Sequence, residues 1–123
     1  MSDVTLDQSR RDRIGFDEAI LCAGKSTEQL GRILDAAGPA ATLLLTRLEA
    51  SALVALGNGD LIDYDPVSRT GFFGAVATPT TAARIAVVTA GTSDVPVARE
   101  AARTLAYYGE TATEFADIGV AGL

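Results

Sequence analysis

The sequence predicts an α/β fold in two units. A small N-terminal α/β domain is expected over residues 1–80, with a linker from about residue 65. The start of a second parallel sheet is expected over residues 83–123. Three observations lead there. Short apolar runs alternate with stretches of helical periodicity, which favours a parallel or mixed sheet. Glycines fall where each helical stretch should stop. Finally, Arg84 to Asp94, R-I-A-V-V-T-A-G-T-S-D, joins a strand, a small-residue loop and a helix start in direct succession.

Residues 3–13 are expected to form a short helix that ends before Gly15. Ala19–Cys22 reads as a short strand. Ser26 is a good N-cap, and Gln29 three residues later completes a capping box. Leu30, Ile33, Leu34 and Ala37 follow at helical spacing, and Gly38 with Pro39 marks the stop. Ala41–Leu45 reads as a buried strand. Thr46 is expected to cap the next helix, with Glu49 completing a second capping box. That helix has Leu48, Ala52, Leu53 and Leu56 as its stripe and Gly57 at its end. Asn58–Asp60 is a turn, and Leu61–Tyr64 a short strand.

Asp65–Ala82 changes character, with prolines, glycines and many Ser and Thr. It reads as the linker, with Gly71-Phe72-Phe73-Gly74 as a hairpin tip or linker contact. Ile85–Val88 is the next strand and Val95–Tyr108 the next helix. Val97, Ala101, Leu105 and Tyr108 mark one face of this helix, and Gly109 ends it. Thr113–Ala116 is the second strand, parallel to the first through a right-handed crossover. The tail Asp117–Leu123 reads as a loop at its carboxyl end, where open α/β sheets bind ligands. The second sheet is expected to be truncated at Leu123, leaving a strand edge prone to pairing.

Composition narrows the function. The hydrophobic share is 48%, but there are no Trp, three Tyr and four Phe, so the core is built from small aliphatic residues. The net charge of −6 argues against nonspecific binding of nucleic acid or anionic membranes, which needs clustered Lys and Arg. Arg10, Arg11 and Arg13 are diluted by Asp7 and Asp12 and read as a solvated helix face. No apolar run approaches the roughly 20 residues that span a bilayer. The N-terminus shows no secretory apolar segment, so the chain reads as cytoplasmic. Cys22 is the only cysteine and histidine is absent. Within this chain that excludes an internal disulfide, a His-ligated zinc, and any Ser-His-Asp or Cys-His arrangement.

The leading candidate site is Gly91, Thr92, Ser93 and Asp94. Gly91 permits close backbone approach, the two hydroxyls donate, and the first amides of a helix favour a phosphate. Asp94 adds negative charge, which suits a ribose hydroxyl, a cationic ring or proton transfer. The same residues read equally well as an ordinary N-cap after a glycine turn. Gly24-Lys25-Ser26 could hold an anion with Lys25 as a point charge. It lacks the full P-loop pattern, and a turn plus cap is favoured. Thr46-Arg47 sits at a strand end, where a cap plus a surface arginine is the simpler reading. Cys22 reads as a small core residue rather than a nucleophile. Asp60, Asp63 and Asp65 lack the spacing of a calcium loop and read as solvated turn residues.

The chain resembles a known family. G-T-S-D followed by V-P-V-A-R-E-A-A resembles the opening of the PurE superfamily of aminoimidazole ribonucleotide carboxylases and mutases. V-V-T-A-G-T-S-D-V-P-V-A-R-E-A-A together with D-I-G-V-A-G-L is closer to LarB. L-D-x-x-R, R-I-G-F-D-E-A-I-L-C-A-G-K-S and L-L-L-T-R extend the likeness over nearly the whole chain. The resemblance implies a flavodoxin-like, PurE-type second sheet, of which this chain holds the first β-α-β. It implies that the full-length protein carboxylates nicotinic acid adenine dinucleotide with CO2 and hydrolyses its phosphoanhydride, releasing AMP. That step leads to the nickel-pincer nucleotide cofactor of lactate racemase. It further implies a homo-oligomer, no nucleic-acid or membrane partner, and CO2 as co-substrate, and it leaves any divalent metal open.

The family's nucleophilic cysteine falls beyond Leu123, and Cys22 does not match it, so the chain alone is expected to be inactive. Gly91, Thr92, Ser93 and Asp94 match the nucleotide-contacting loop. Gly119 and Gly122 would border the same pocket, and Lys25 and Arg47 match family positions. A noncatalytic nucleotide-binding or assembly module, or a purine-type PurE relative, are the alternatives.

Overall fold

A capping box starts the first helix where the sequence places it. In the computed structural model, which describes residues 19–116, Ser26 Oγ accepts the Gln29 amide at 3.1 Å. The Gln29 Oε1 in turn accepts the Ser26 amide at 2.8 Å. The helix expected over residues 3–13, the basic cluster Arg10–Arg13, and the tail with Gly119 and Gly122 lie outside the described residues.

Strand β1 (Ala19–Leu21) leads through helix α1 (Thr27–Ala37) to β2 (Leu43–Thr46), which lies parallel beside it. Helix α2 (Ala50–Leu56) follows, then β3 (Ile62–Asp65) and β4 (Thr70–Phe73). The sheet order is β1-β2-β4-β3, with β4 antiparallel to both neighbours. The N-terminal part is therefore an α/β domain on a mixed sheet. Leu30, Ile33 and Leu34 of α1 are buried against Ile20, Leu43, Leu45, Ile62 and Phe73. Fully burying each such side chain stabilises by about 1.5–3 kcal/mol.

Two expectations are corrected here. The stretch from residue 65 is not all linker, because all four residues of β4 are buried and the strand is central. T-G-F-F does not alternate, since both faces of this strand are covered. Gly74 closes it at φ +86, where a Cβ would stand 2.3 Å from the Ala41 carbonyl oxygen. The irregular connection thus runs over residues 74–84. Secondly, Thr46 does not cap α2. It ends β2, and its hydroxyl donates to the Ile20 carbonyl at 3.4 Å. The N-cap residue is Glu49, a residue type that rarely caps; it makes no side-chain cap bond, and its carboxylate pairs with Arg69 instead.

The second unit has β5 (Ile85–Val88), helix α3 (Val95–Tyr107) and β6 (Ala112–Phe115), with β5 and β6 parallel. The expected face of α3 needs correction. Val97 is 64% exposed, and Ala101 and Tyr108 are also exposed, whereas Ala98 is buried. The reason is that α3 serves two surfaces, the β5–β6 pair and the outer face of the first sheet. Leu44 and Phe72 are register partners and project away from α1. Tyr107 meets Phe72 with ring centroids 5.7 Å apart. The Arg103 guanidinium lies 3.9 Å from the Phe72 ring centroid. Arg103 also donates to Thr70 Oγ1 at 2.9 Å and to the Asp63 carbonyl at 2.7 Å. The first sheet is thereby sandwiched between α1 and α2 on one face and α3 on the other.

Candidate functional site

The direction of α3 decides which ends of the strands meet. The Tyr107 hydroxyl is 3.3 Å from Thr42 Oγ1, just before β2 begins. Glu100 is 3.7 Å from Arg47, just after β2 ends. Helix α3 therefore runs antiparallel to β2, and its N-terminus lies beyond the carboxyl end of that strand. The carboxyl ends of β1, β2 and β5 consequently share one end of the molecule.

At that end the ends of β1 and β2 open onto a cavity of about 300 Å³. Its floor is apolar, with Cys22 5%, Leu30 3% and Leu48 0% exposed. Its rim carries Lys25, Arg47 and Arg69, with Glu49 as the one acidic member. The Lys25 ammonium donates to the Leu21 carbonyl at 2.7 Å.

Arg47 and Arg69 have φ of +54 and +57, and no other non-glycine residue among those described has a positive φ. The left-handed region costs a residue with a Cβ about 1–2 kcal/mol. Such strain persists only where the surroundings over-determine it. Here the fixed point is Leu48. Its amide donates to the Arg69 carbonyl at 2.8 Å, and its carbonyl accepts the Tyr64 hydroxyl at 2.7 Å. Burial, with the Glu49 charge, raises the Tyr64 pKa, so the phenol stays a donor.

Cys22 belongs to the floor as a core residue. Burial pushes its thiol up to about 11, against a smaller opposing pull from Lys25. Its thiol is thus held protonated rather than as a nucleophile.

The Gly91–Asp94 loop lies apart from this cavity. Gly91 is extended, and Thr92–Asp94 make a single 3-10 turn that runs into α3, with Pro96 in the first helical turn. Asp94 is the N-cap residue but makes no side-chain cap bond. Thr92, Ser93 and Asp94 are exposed. Glu100, which touches Arg47, lies six residues along α3 from Asp94, or about 9 Å of helix rise. Just before the loop, Thr89 Oγ1 is buried and has no hydrogen-bond partner among the described residues.

The structure therefore joins Lys25 to Arg47 and leaves Gly91, Thr92, Ser93 and Asp94 as a second locus at the same end. Sequence reasoning missed Arg69, which had no motif around it, and Arg103, whose role depends on which sheet α3 covers. Asp63 and Asp65 face arginines: Asp63 pairs with Arg103 at 3.4 Å, and Asp65 lies 3.7 Å from Arg99. Among the described residues no group of His, Cys, Asp or Glu could hold a metal ion, and no helix is long and apolar enough to cross a membrane.

Compared with known proteins, residues 1–75 match the model of a family described as the LarB/PurE-like N-terminal domain. The whole three-cation cavity lies inside the matched stretch, and the Gly91–Asp94 loop lies outside it. No curated protein matches the chain.

Proposed function

Since the chain belongs to the LarB/PurE-like N-terminal domain family, we propose that it is the N-terminal part of a LarB-like carboxylase and hydrolase, and that it helps to hold the nucleotide. On this reading the full-length enzyme carboxylates nicotinic acid adenine dinucleotide with CO2, then cleaves the phosphoanhydride and releases AMP. Residues 1–80 are its accessory domain, and residues 83–123 begin a flavodoxin-like sheet.

The observation that carries the nucleotide reading is the start of α3. Its N-cap residue makes no side-chain bond, it follows directly from the carboxyl end of a parallel strand, and it shares that end with Lys25 and Arg47. Of the first amides, Asp94 donates to the Gly91 carbonyl, Val95 donates to the Thr92 carbonyl and Pro96 has none, so it is the partial positive charge of the helix dipole that favours a phosphate there. The Thr92 and Ser93 hydroxyls add donors. Asp94 fits a ribose hydroxyl or the cationic pyridinium ring.

The chemistry needs a nucleophile. A pyridinium ring is electron-poor and does not attack CO2. A thiolate that adds to the ring makes it enamine-like; the ring then attacks CO2, loses a proton and expels the thiolate. Cys22 does not fit that role, because burial holds it as a thiol with a pKa of about 11. The cysteine must come from elsewhere in the full-length protein, and this chain alone binds without turnover.

Calorimetry of this chain with nicotinic acid adenine dinucleotide tests the reading. Saturable binding, weakened about tenfold by Ser93→Ala or Asp94→Ala (a loss of about 1.4 kcal/mol), is the expected result. Absence of binding, or AMP release by this chain alone, would overturn it.

A further inference from the structure

We propose that the cavity at the carboxyl ends of β1 and β2 is an oxyanion-binding site in its own right. It would take a small phosphate- or carboxylate-bearing molecule through Lys25, Arg47 and Arg69. This goes beyond the carboxylase reading and does not need it, because every residue involved lies within Cys22–Arg69.

Four observations converge. The first is charge. The chain has a net charge of −6, yet three of its ten Lys and Arg residues stand around one cavity whose lining holds one carboxylate, Glu49, with Glu100 reaching Arg47 from outside it. They come from three separate segments: the turn after β1, the turn after β2 and the turn before β4. Local sequence clustering does not explain their meeting.

The second is backbone strain. Both arginines occupy the left-handed region, where glycine would sit without cost. A loop that needs only the turn is served better by glycine. An arginine held there by the bonds of Leu48 implies that its guanidinium is wanted at that spot.

The third is shape. A floor of Cys22, Leu30 and Leu48 under a cationic rim is the pattern of a ligand cavity: apolar walls with few placed polar groups. A volume of about 300 Å³ holds a phosphate or carboxylate group together with a small apolar part.

The fourth is availability. Arg69 pairs with Glu49, and Arg47 with Glu100 at 3.7 Å, but the arginine side chains are 43% and 49% exposed. Exposed pairs of this kind contribute little and exchange readily. The Lys25 ammonium uses one donor on the Leu21 carbonyl and has two more to offer. The guanidinium forks match phosphate and carboxylate oxygens two at a time.

Calorimetry at low salt with inorganic pyrophosphate, inorganic phosphate and malonate tests the site on this chain. One saturable site is expected. Tighter binding of pyrophosphate marks a phosphate ligand, and tighter binding of malonate a dicarboxylate. Lys25 is the chain's one lysine. Reductive 13C-methylation therefore gives one side-chain NMR signal, which should move during the titration. Arg47→Gly and Arg69→Gly should each weaken binding at least tenfold while the melting temperature holds or rises, because glycine relieves the strain. Should either variant fold poorly, Lys25→Met supplies the same affinity test. No saturable binding of any of the three anions sinks the proposal, and so does binding that survives these substitutions. Binding that Ser93→Ala removes and Lys25→Met leaves intact would move the anion to the start of α3. Loss of dinucleotide binding alone, with pyrophosphate still bound through Lys25, would refute the nucleotide reading and leave this site standing.

Discussion

Replacing Arg103 by alanine should cost about 2–4 kcal/mol of folding stability. The side chain is 16% exposed and links α3 to β3 and β4. Its guanidinium donates to Thr70 Oγ1 at 2.9 Å, to the Thr70 carbonyl at 3.2 Å and to the Asp63 carbonyl at 2.7 Å. Hydrogen bonds from a charged donor contribute about 1.5–3 kcal/mol each, but bonds sharing one group do not add. The stacking on Phe72, at 3.9 Å, contributes roughly 0.5–2 kcal/mol more. The pair with the Asp63 carboxylate adds little, because that side chain is 70% exposed. Urea unfolding at equilibrium reads the total. Arg103→Lys keeps the charge but loses the fork and should recover less than half of the loss. A double-mutant cycle with Phe72→Leu should show coupling of about 0.5–1.5 kcal/mol. If Arg103→Ala costs under about 0.5 kcal/mol, α3 is not anchored through this residue and its assignment to the outer face of the first sheet is wrong.

Three further outcomes are expected. Gly74→Ala should cost about 2–4 kcal/mol, since a Cβ would meet the Ala41 carbonyl oxygen at 2.3 Å on a backbone at φ +86. Gly24→Ala, at φ +80 with open space around it, should cost only about 1 kcal/mol; equal urea midpoints for the two would refute the clash. With its thiol pushed up to about 11, Cys22 should be thiolate to roughly one part in a thousand at pH 8. It should resist iodoacetamide until urea unfolds the chain, and fast native labelling would contradict its burial. Burial raises the Asp65 pKa, but the two Ser68 hydrogen bonds and then Arg99 and Arg103 outweigh this and hold it below the ordinary range. That contribution is fully present above the unfolded value of about 3.9 and is lost as pH falls through the lower folded value. Melting temperature should therefore fall less steeply below about pH 4 in Asp65→Asn than in the parent, from a lower starting point.

Much of the fold was legible because local and global preferences agree. The Ser26–Gln29 box, the stop at Gly38 and the strand Ile85–Val88 stand where spacing put them. The misread elements have a common cause, which is a partner distant in sequence. T-G-F-F looked like a linker because Gly71 and the neighbouring Pro66, Ser68 and Gly74 are turn formers. Its strand state comes from pairing with β2 and β3 on both sides. The stripe chosen on α3 was the apolar one, yet the helix buries Ala98 and uses Arg103 and Tyr107 toward the first sheet. An arginine stacked on an aromatic ring leaves no apolar period to read. Of the candidate site, Lys25 and Arg47 were visible in the sequence only as weak candidates, with a turn plus cap and a cap plus surface arginine as the favoured readings. Arg69 was not, because only the return of β4 beside β2 brings it there.

The places where the chain breaks local rules are not scattered. Two arginines take a glycine conformation at Arg47 and Arg69. Two helices, α2 and α3, start on acidic residues, Glu49 and Asp94, that make no cap bond. One buried hydroxyl, Thr89 Oγ1, has no partner among the described residues. Each belongs to a connection at the carboxyl ends of β2 and β5, or to the turn that feeds β4 beside β2. The opposite end carries no comparable departure among the non-glycine residues described: α1 ends at Gly38 and α3 gives way to Gly109, both at positive φ. At that same end α1 keeps its full capping box, so the departures are confined to the connections after β2 and β5 and the turn before β4, and those connections have been shaped by something besides folding. Stability alone would have put glycine at positions 47 and 69, and a Ser, Thr, Asp or Asn at position 49 to cap α2. That these changes are absent, while the rest of the domain follows the local rules closely, is the physical argument that this end of the molecule receives an anionic ligand.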